Sequence, residues 1–490
     1  MSMLTKQLSK PLRVCSTLAE EESLNELANI MRCYSPDYKF YAVGGCVRDA
    51  ILKKTPHDVD LCSALTPDQV HQVIESCQNH NPHWKVWDSG KKHGTVTLTD
   101  GKRHTSFEIT TFRTDGEYLD NRHPDKVAFT GSLEEDLKRR DFTINACAYD
   151  IAECRLLSAD GADEDFKLRR IRCVGDPNER FREDALRMLR AIRFAAQLGF
   201  MIDPATYDAI CARPAYISNV SVERIRDEIQ KIICSPHPEM LQWIHLIGMD
   251  FNIASTYALQ FDLHMMMHQK QDNPWHYTDL FHHTMDVVRN VPAGNPTLRW
   301  AALYHDIGKV KTHSENNDHF YGHAEESAKI AENDFWKLRL PADMVQKIVK
   351  LIKYHDNQIE DISDAGVRRL ANRIGPEDMD DYIALRYADA MAQNQLVDDG
   401  YSGDWGKPVK IVARFAQQWE EVKNQKQPVQ KRQMAINGND IMKEFNLAPG
   451  PQIGKLLDVC FNDILQFPED NNREKLLKIV AMDLAVEGKK

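Results

Sequence analysis

The stretch Gly44-Gly45-Cys46-Val47-Arg48-Asp49 is followed nine residues later by Asp58-Val59-Asp60, and together they decide the fold of this chain. Residues 39–43, directly before the glycines, are aromatic and β-branched, which predicts a strand that the glycine pair ends. Glycine also lets the backbone approach a bound group closely. We predict a short helix over 47–52, whose first N–H groups and positive dipole end suit a phosphate above the glycines.

Three carboxylates lie on predicted strands around this phosphate cradle. A strand is predicted over 57–62, and because side chains alternate along a strand, Asp58 and Asp60 fall on one face. Another alternating strand over 105–112 places Glu108 opposite in phase to its apolar neighbours, toward the cleft. Three carboxylates can hold two divalent metal ions for in-line displacement at phosphorus. A turn and a solvated edge strand are the usual meaning of either motif alone, but their order favours the catalytic interpretation.

Composition restricts the class of protein. The 490 residues suggest several domains, and a formal net charge of −11 argues against bulk electrostatic coating of nucleic acid. Basic clusters at 138–140, 167–172 and 180–193 still allow a local basic groove. The 11 cysteines include no Cys-x-x-Cys pair, which is typical of reduced cysteines. Because the sequence has no apolar run of membrane-spanning length and no signal-peptide core, we predict a cytoplasmic protein without a membrane partner.

The sequence pattern changes along the chain. Strands and short helices mix in the first third, whereas almost everything after about residue 165 has a helical pattern. Residues near 252–275 look irregular, and we place a domain boundary there. The predicted segments are an N-terminal leader and helix over 1–35, an α/β head over 36–164, a helical neck over 165–255, a histidine-rich helical domain over 256–398, and a linker with a helical tail over 399–490.

A charged run follows the strand of the third carboxylate. Its polar residues fall within about two helical turns, and they are Arg139, Arg140, Asp141 and Asn145. Guanidinium groups suit triphosphate oxygens, and a carboxylate suits a ribose hydroxyl. By itself, such a run is more often a solvated helix face.

The segment Glu183-Asp184-Ala185-Leu186-Arg187 leads into a predicted amphipathic helix over 184–198. Asp184 and Arg187 are three residues apart, so we expect them to be neighbours on one helix face. A carboxylate accepts from an exocyclic amine and a guanidinium donates to ring acceptors, so the pair can select cytosine and adenine over uracil and guanine. An ordinary ion pair within a helix is the commoner meaning of this spacing.

Taken together, these motifs resemble those of the class II tRNA nucleotidyltransferases, the family of CCA-adding enzymes. The matching pieces are Gly44-Gly45-x-Val47-Arg48-Asp49 with Asp58-x-Asp60, Leu133 to Ala146, Asp160-Gly161, Glu183-Asp184-x-x-Arg187-x-x-Arg190, and Glu223-Arg224-Ile225-Arg226-x-Glu228. The resemblance covers residues 36–235. It implies an α/β nucleotidyltransferase head with a polymerase-beta-like mixed sheet, followed by an all-α neck.

The resemblance also implies a role for each site residue. Asp58 and Asp60 hold two Mg²⁺ ions, with Glu108 as the third carboxylate. The residues that cradle the triphosphate, or contact the triphosphate and ribose, are Gly44, Gly45, Arg48, Arg140, Asp141 and Asn145. The other nucleotide-binding residues are Asp184 and Arg187, which read the base, Glu183, which orients Arg187, and Arg190.

A second constellation lies in the histidine-rich region. Its members are His283 (with His282 an ambiguous neighbour), His305, Asp306, His323, His355 and Asp389. Imidazoles and carboxylates in such numbers can bind one or two divalent metals, whereas any single histidine here would more often be structural. The pattern resembles the HD phosphohydrolase superfamily, which implies an HD domain before the helical tail. The implied metal is Ni²⁺, Mn²⁺, Co²⁺ or Mg²⁺, and the alternative is a domain kept only to dock tRNA.

The predicted function is template-independent addition and repair of the 3′-terminal CCA of tRNA. The partners are then tRNA as acceptor and CTP and ATP as substrates, with pyrophosphate released; the sequence leaves the oligomeric state open. Poly(A) polymerases of the same class share every catalytic residue. The loop over 113–124, which CC-adding enzymes shorten, looks intact and favours full CCA addition, although Arg122-His123 departs from the paired arginines of the family.

Two interpretations outside this class stay open. One is a metal phosphohydrolase whose head only binds RNA, and the other is an RNA-binding protein in which both sites are inactive. The intact carboxylates of the head count against both.

Overall fold

The computed structural model of the chain describes residues 3–34, 40–115, 127–269, 279–312, 320–393 and 406–487. The chain divides into two compact units, Met1–Tyr257 and Ala258–Lys490. Most of the predicted loop over 113–124 and of the predicted linker over 399–408 lies outside the described residues. No helix within the described ranges is both long enough and apolar enough to cross a membrane.

The first unit contains a mixed sheet, which confirms the predicted fold of the head. Its strands are β1 (Leu4–Gln7), β2 (Phe40–Val43), β3 (Asp60–Ser63), β4 (Trp84–Gly90), β5 (Thr95–Asp100), β6 (Thr105–Thr111), β7 (Arg113–Asp115), β8 (Val127–Phe129), β9 (Cys147–Asp150), β10 (Arg155–Ser158), β11 (Arg170–Ile171) and β12 (Met201–Ile202). Eight of these form one sheet in the order β1-β10-β9-β2-β3-β6-β5-β4. Within it, β3 and β6 run parallel, so the strands of the predicted carboxylates are direct neighbours.

The helices of this unit are α1 (Leu18–Tyr34), α2 (Gly45–Ile51), α3 (Pro67–Cys77), α4 (Leu133–Lys138), α5 (Ala162–Leu168), α6 (Pro177–Glu183), α7 (Leu186–Leu198), α8 (Pro204–Cys211), α9 (Val222–Ile233), α10 (Gln242–Leu246) and α11 (Met249–Tyr257). Among them, α3, α4, α6 and α8 begin at a capping side chain. Helices α6 and α8 each start with a capping aspartate followed by proline, Asp176-Pro177 and Asp203-Pro204. An aspartate at this position accepts a hydrogen bond from a free backbone N–H of the first turn. Proline has no N–H, so none is left unsatisfied at its position.

The sheet is buried on both faces. Along β2, Phe40 and Ala42 belong to an apolar cluster that also contains residues of α1 and α3. Tyr41 and Val43 belong to a second cluster, with residues of α4. Burial on both sides explains why this strand is continuously apolar. It holds the glycine turn that follows in a fixed position.

The two motif elements differ in their bounds from the prediction. Helix α2 begins at Gly45, two residues earlier than predicted. Strand β3 begins only at Asp60, so Asp58 precedes the strand rather than belonging to it. Val59 between the aspartates is buried, whereas Asp58 and Asp60 are exposed, so both carboxylates still lie away from the core.

The N-terminal segment is part of the head. We predicted a leader and a helix over 1–35, but β1 (Leu4–Gln7) pairs antiparallel with β10 as an edge strand. The four residues of β1 are all exposed, so their sequence carries no alternating pattern that could have predicted it. Leu24 and Leu27 of α1 are buried in the apolar cluster of the sheet.

The second unit is helical throughout its described residues. Its helices are α12 (Leu263–His268), α13 (Leu280–Asn290), α14 (Pro296–Tyr304), α15 (Lys309–Thr312), α16 (His323–Lys337), α17 (Ala342–Tyr354), α18 (Asp364–Ile374), α19 (Met379–Gln393), α20 (Lys407–Asn424), α21 (Gly438–Phe445), α22 (Pro451–Gln466) and α23 (Arg473–Glu487). The segment near 252–275, predicted to be irregular, contains the end of α11 and all of α12. Buried Leu263 and Met266 stabilise α12 through packing, which so short a sequence does not reveal.

Candidate active site and metal centre

A cavity of about 430 Å³ opens between the sheet and the neck helices of the first unit. The predicted site residues that line it are Gly44, Gly45, Arg48, Asp60, Arg140, Asp141, Asn145, Asp184, Arg187 and Arg190. The wall also contains Arg139, Arg193, Phe194 and Arg224. Seven arginines therefore face three aspartates, and this excess of positive charge suits an anionic ligand.

The glycine pair forms the floor of the cavity. Gly44 has a φ of 73°, in the left-handed region that favours glycine. A Cβ at this position would lie 3.0 Å from Nη1 of Arg140. Gly45 begins α2, and both the glycine turn and Arg140 line the cavity, so the first N–H groups of α2 and a guanidinium lie beside the same space. This is the arrangement that a triphosphate requires.

Two of the three predicted carboxylates are direct neighbours in the sheet. Asp60 of β3 is in register with Glu108 of β6, and Glu108 is exposed between the buried residues Phe107 and Ile109. Although Asp60 keeps contact with solvent, desolvation by the surrounding protein raises its pKa; Arg140 opposes the shift, and the charges of Glu108 and Asp58 add to it. A divalent cation would relieve the mutual repulsion of these carboxylates, so Asp58, Asp60 and Glu108 suit a divalent metal, and the two Mg²⁺ ions that the resemblance implies stay a prediction.

A continuous chain of hydrogen bonds joins α2 to the neck helix α7. Arg48 Nη1 donates to Asn145 Oδ1 at 2.9 Å, and Asn145 Nδ2 donates to Asp141 Oδ1 at 3.0 Å. Arg190 of α7 donates to Asp141 Oδ2 from Nε at 2.8 Å and from Nη2 at 2.5 Å. Burial alone would raise the pKa of Asp141, but the charge of Arg190 and these hydrogen bonds hold that pKa below its usual value. Asp141 is therefore ionised and connects Asn145 of the head to Arg190 of the neck helix.

The charged run does not form one helix, contrary to our prediction. Helix α4 ends at Lys138, and a 3₁₀ helix follows over Thr143–Asn145. The buried carboxylate of Asp136 holds both arginines of the run, with Arg139 Nη2 at 2.7 Å and Arg140 Nη2 at 3.2 Å. Because the chain turns between them, Arg140 and Asp141 reach different parts of the cavity wall.

The predicted base-reading pair also departs from the helix that we expected. Asp184 is extended, with φ −145° and ψ 104°, and lies between α6 and α7. Its carboxylate accepts from Arg224 of α9, at 2.7 Å from Nη2 and 3.2 Å from Nη1. Arg187 instead donates to Glu183 Oε2 at 2.5 Å. Asp184 and Arg187 therefore both line the cavity, each oriented by a different partner.

Phe194 is a feature of the wall that the sequence did not single out. Three guanidinium groups approach its ring, those of Arg193 at 3.8 Å, Arg48 at 5.1 Å and Arg190 at 5.4 Å from the centroid. A cation over an aromatic face is stabilised by the quadrupole of the ring. As one of several apolar residues of α7, Phe194 carries no sequence feature that would distinguish it from a core residue.

The second unit brings the six predicted metal ligands together. His283 lies on α13, His305 and Asp306 directly follow α14, His323 begins α16, His355 directly follows α17, and Asp389 lies on α19. Asp306 is central, with Oδ1 3.2 Å from His323 Nε2 and 3.4 Å from His355 Nε2. Its Oδ2 lies 3.2 Å from His305 Nε2, and His283 Nε2 lies 3.3 Å from Asp389 Oδ1.

The imidazoles are oriented as metal ligands are. Nδ1 of His305, His323 and His355 lies 2.8, 2.9 and 2.7 Å from a carbonyl oxygen three residues earlier. With the proton on Nδ1, the lone pair is on Nε2 and points to the centre of the cluster. Nε2 of His305 is buried and forms no hydrogen bond among the described residues. This donor set fits a hard or borderline divalent metal.

Lys309 and Gly308 also belong to this centre, although neither residue type is typical of a metal ligand. Lys309 Nζ lies 2.6 Å from Asp306 Oδ2 and is buried with it. Gly308 N donates to Ser327 Oγ of α16 at 2.8 Å. A Cβ on Gly308 would clash with the carbonyl oxygen of His323 and would lie 2.6 Å from the backbone nitrogen of Ser327. The metal-binding turn is therefore packed directly against α16.

Four family models match consecutive parts of the chain. They are described as Poly A polymerase head domain (residues 40–172), "Probable RNA and SrmB-binding site of polymerase A" (199–242), HD domain (285–391) and tRNA nucleotidyltransferase domain 2 (408–480). The HD domain that the resemblance implied is thereby confirmed, whereas the predicted bounds of the segments stay a prediction.

Curated relatives match the chain over two different lengths. A CCA-adding enzyme of Lactiplantibacillus plantarum is 30% identical over 449 residues, which cover 91% of this chain and 92% of the relative. A CCA-adding enzyme of Geobacillus thermodenitrificans is 45% identical over 199 residues, 41% of this chain and 46% of the relative. In such shorter matches, of which the Geobacillus enzyme is one, this chain spans about half the length of the relative.

The fold is also that of a solved structure. The crystal structure of the Bacillus stearothermophilus CCA-adding enzyme in complex with CTP superimposes with a TM-score of 0.70 and 24% identity, covering 97% of this chain and 100% of the other. At this identity, the match shows the fold alone.

Proposed function

The chain belongs to the family of CCA-adding enzymes, and we propose that it adds or repairs the 3′-terminal CCA of tRNA from CTP and ATP. The observation that carries this proposal is the cavity in which seven arginines surround the glycine turn and Asp60. Such a cavity suits a nucleoside triphosphate. In the reaction, the 3′-hydroxyl oxygen of tRNA forms a bond to the α-phosphorus, the bond to the bridging oxygen breaks, and pyrophosphate leaves while the hydroxyl loses its proton.

The carboxylates act at the reacting phosphorus. Asp58, Asp60 and Glu108 would hold two Mg²⁺ ions, which supply a lowered pKa of the attacking hydroxyl and charge neutralisation at the leaving pyrophosphate. Arg48 and Arg140 bind the triphosphate above the glycine turn. Asp141, held by Asn145 and Arg190, positions the ribose and ties its location to α7.

Base selection falls to Asp184 and Arg187. The carboxylate of Asp184 accepts from the exocyclic amine of cytosine or adenine, and Arg187 donates to the adjacent ring acceptor. Uracil and guanine present the opposite order of donor and acceptor, which leaves buried polar groups unpaired. Glu183 and Arg224 hold the two side chains in place, so this selection depends on ion pairs made outside the nucleotide.

The test uses an unmodified tRNA transcript that lacks CCA. Incubation with CTP and ATP, followed by sizing and sequencing of the product, should give addition of C, C and A and then a stop. A long tract of adenosines would instead identify a poly(A) polymerase of the same class. No addition of any nucleotide, by protein that still binds tRNA, would contradict both.

We further infer a second activity, hydrolysis of phosphoesters by the histidine-rich unit. The supporting observation is that four imidazoles direct Nε2 toward Asp306, next to Asp389. A divalent metal in this set would supply an activated water near neutral pH. The water oxygen forms a bond to phosphorus, the bond from phosphorus to the ribose oxygen breaks, and that oxygen takes a proton. Damaged tRNA ends with a 2′,3′-cyclic or terminal phosphate are the substrates we propose, because the first site needs a free 3′-hydroxyl.

The test assays wild type and Asp306→Ala on 2′,3′-cyclic AMP with Mg²⁺, Mn²⁺, Co²⁺ and Ni²⁺. Wild type should turn over with at least one of these metals, and the variant should not. Absence of turnover by wild type with every metal, together with absence of metal in the purified protein, would leave this unit as a docking body for tRNA.

A further inference from the structure

A second cavity, of about 360 Å³, opens beside the metal centre of the second unit. Asp389, one of the predicted ligands, is part of its wall, so the cavity borders the candidate metal centre. The remainder of the wall comes from the segment after α17, from α19 and from the start of α20. Helix α20 lies beyond residue 391, at which the match to the HD domain ends. The cavity is therefore closed by a part of the chain outside that domain.

The wall of this cavity carries the carboxylates of Asp356, Glu360 and Asp389 and two cations, Lys407 and Arg386. Arg386 is the cation that belongs to α19. It lies one helical turn before Asp389 on α19, so both side chains share one face of the helix. Its Nη1 donates to the carbonyl oxygen of Asn357 at 2.7 Å and to the hydroxyl of Tyr382 at 3.3 Å. Among the described contacts, Arg386 pairs with no carboxylate, whereas Lys407 of the same wall lies 2.9 Å from Glu360.

A guanidinium held by two neutral oxygens keeps its charge available for a ligand. Because the guanidinium is planar and presents several donors, it binds phosphate oxygens in a fixed geometry. Its place one turn from a metal ligand suits a phosphate that lies between Arg386 and the metal centre. The neutral partners Asn357 and Tyr382 orient the side chain without competing for its charge.

Part of the wall is apolar. It consists of Ile359, Pro408, Ile411 and Val412, the last three on α20. A volume of about 360 Å³ lies within the usual range for sites that hold a small organic ligand. An anion alone would leave this apolar surface uncovered, whereas a nucleoside attached to the phosphate would cover it.

We propose that this cavity binds a nucleotide-sized phosphoester, with Arg386 holding the phosphate and α20 covering the sugar or base. The proposal rests on the phosphoester hydrolysis inferred above and names the substrate class of that site. Arg386 is then the residue that positions the phosphate, and the C-terminal segment contributes to specificity through Ile411.

The first experiment compares Arg386→Gln with Arg373→Gln in the full-length protein. Arg373 is an exposed arginine of α18, so the control removes the same charge from the same unit. Binding of 3′-AMP, measured by calorimetry after treatment with a chelator, should weaken about 10-fold in Arg386→Gln. It should be unchanged in the control, and Arg386→Lys should restore part of it. Both variants keep the cavity of the first unit, so any binding there is common to them.

The second experiment tests the apolar wall. Ile411→Ala should weaken the binding of 3′-AMP about 3-fold, but it should leave the binding of inorganic phosphate unchanged. Metal content and CCA addition should equal those of wild type in every variant. Equal affinities of Arg386→Gln and Arg373→Gln for 3′-AMP would overturn the proposal.

These outcomes separate the binding proposal from the hydrolysis on which it rests. Arg386-dependent binding of 3′-AMP without turnover of any phosphoester would support the cavity and contradict the hydrolysis. With turnover present, Arg386→Gln should raise KM and change kcat little, because the residue holds the ground state and the transition state alike. Turnover with an unchanged KM would place the substrate elsewhere.

Discussion

The two candidate sites of this molecule are held in place in different ways. In the metal centre, each of His305, His323 and His355 is oriented by a carbonyl oxygen only three residues earlier. In the cavity of the first unit, Arg48 reaches Asn145 and Arg190 reaches Asp141, across 97 and 49 residues of sequence. Local backbone therefore orients the imidazoles of the metal centre, whereas long-range side-chain contacts orient the residues of the nucleotide cavity.

This difference predicts how each site responds to change. Local carbonyl contacts persist as long as the helix ends persist, so a metal ligand can be removed without moving the remaining ligands far. A chain of side-chain hydrogen bonds transmits the loss of one member to the others. We therefore expect a substitution in the metal centre to leave the remaining ligands in place, and a substitution in the hydrogen-bond chain of the nucleotide cavity to disorient the other members of that chain.

The largest expected effect is that of Asp60→Asn. Loss of a carboxylate that holds the reacting metals should reduce CCA addition more than about 100-fold. The measurement is single-turnover addition of CMP to tRNA. Asp68→Asn, an exposed aspartate of α3, is the matched control and should behave as wild type. Near-normal addition by Asp60→Asn would remove this residue from the catalytic set.

Asp306→Asn should give the reverse result. Because Asp306 lies within 3.6 Å of four imidazoles, its loss should abolish stable metal binding and hydrolysis of 2′,3′-cyclic AMP. CCA addition should stay within about 2-fold of wild type. Metal content by elemental analysis and both activities give the answer, with Asp343→Asn on α17 as the control. A variant that retains metal and activity would contradict the role of Asp306.

Arg187→Ala should damage base selection more than the rate with CTP. Removing a donor to the base should lower discrimination of CTP and ATP against UTP and GTP by at least about 10-fold. Incorporation of each nucleotide is measured separately on one tRNA. Unchanged discrimination would show that Arg187 only forms an ion pair with Glu183.

Asp141→Asn tests the long-range chain itself. The amide cannot replace the ionised carboxylate that Arg190 holds, so Arg48 and Asn145 should lose their orientation and KM for nucleotides should rise about 10-fold. The rise in KM should be similar for CTP and ATP, because the hydrogen-bonded residues Arg48, Asn145, Asp141 and Arg190 are proposed to contact the triphosphate and ribose and not the base. An effect confined to one nucleotide would assign Asp141 to base selection instead.

Phe194→Leu should have the smallest effect. Leucine preserves the apolar volume of α7 but removes the ring that three guanidinium groups approach. KM for CTP and ATP should rise about 3-fold with little change in kcat, whereas Phe194→Tyr should resemble wild type. Phe181→Leu, a buried phenylalanine of α6, controls for lost packing. Equal KM values in the Phe194 and Phe181 variants would indicate packing alone.

The head could be predicted because its motif is local. The order of strand, glycine turn, helix and second strand fixes Gly44, Gly45 and Asp60 relative to one another, and alternation places Glu108 on the exposed face of its strand. Each of these inferences depends on neighbours within a few residues. The predicted placement of the carboxylates holds even though β3 begins three residues later than predicted, because Asp58 is exposed and lies outside the core.

What the sequence did not predict depends on distant partners. The helix predicted over 184–198 starts at Leu186, because Asp184 adopts an extended conformation and pairs with Arg224, forty residues later. Strand β1 forms only because β10 offers it an edge. No periodicity or spacing within either segment records these partners.

The packing of Gly308 against α16 also affects how related sequences should be compared. Any side chain at this position would collide with the backbone around His323 and Ser327. Selection for the fold therefore preserves this glycine whether or not the centre still works. A relative that has lost its metal ligands would keep Gly308 for its shape alone, so genome surveys should judge activity from Asp306 and the histidines and give the glycine no weight.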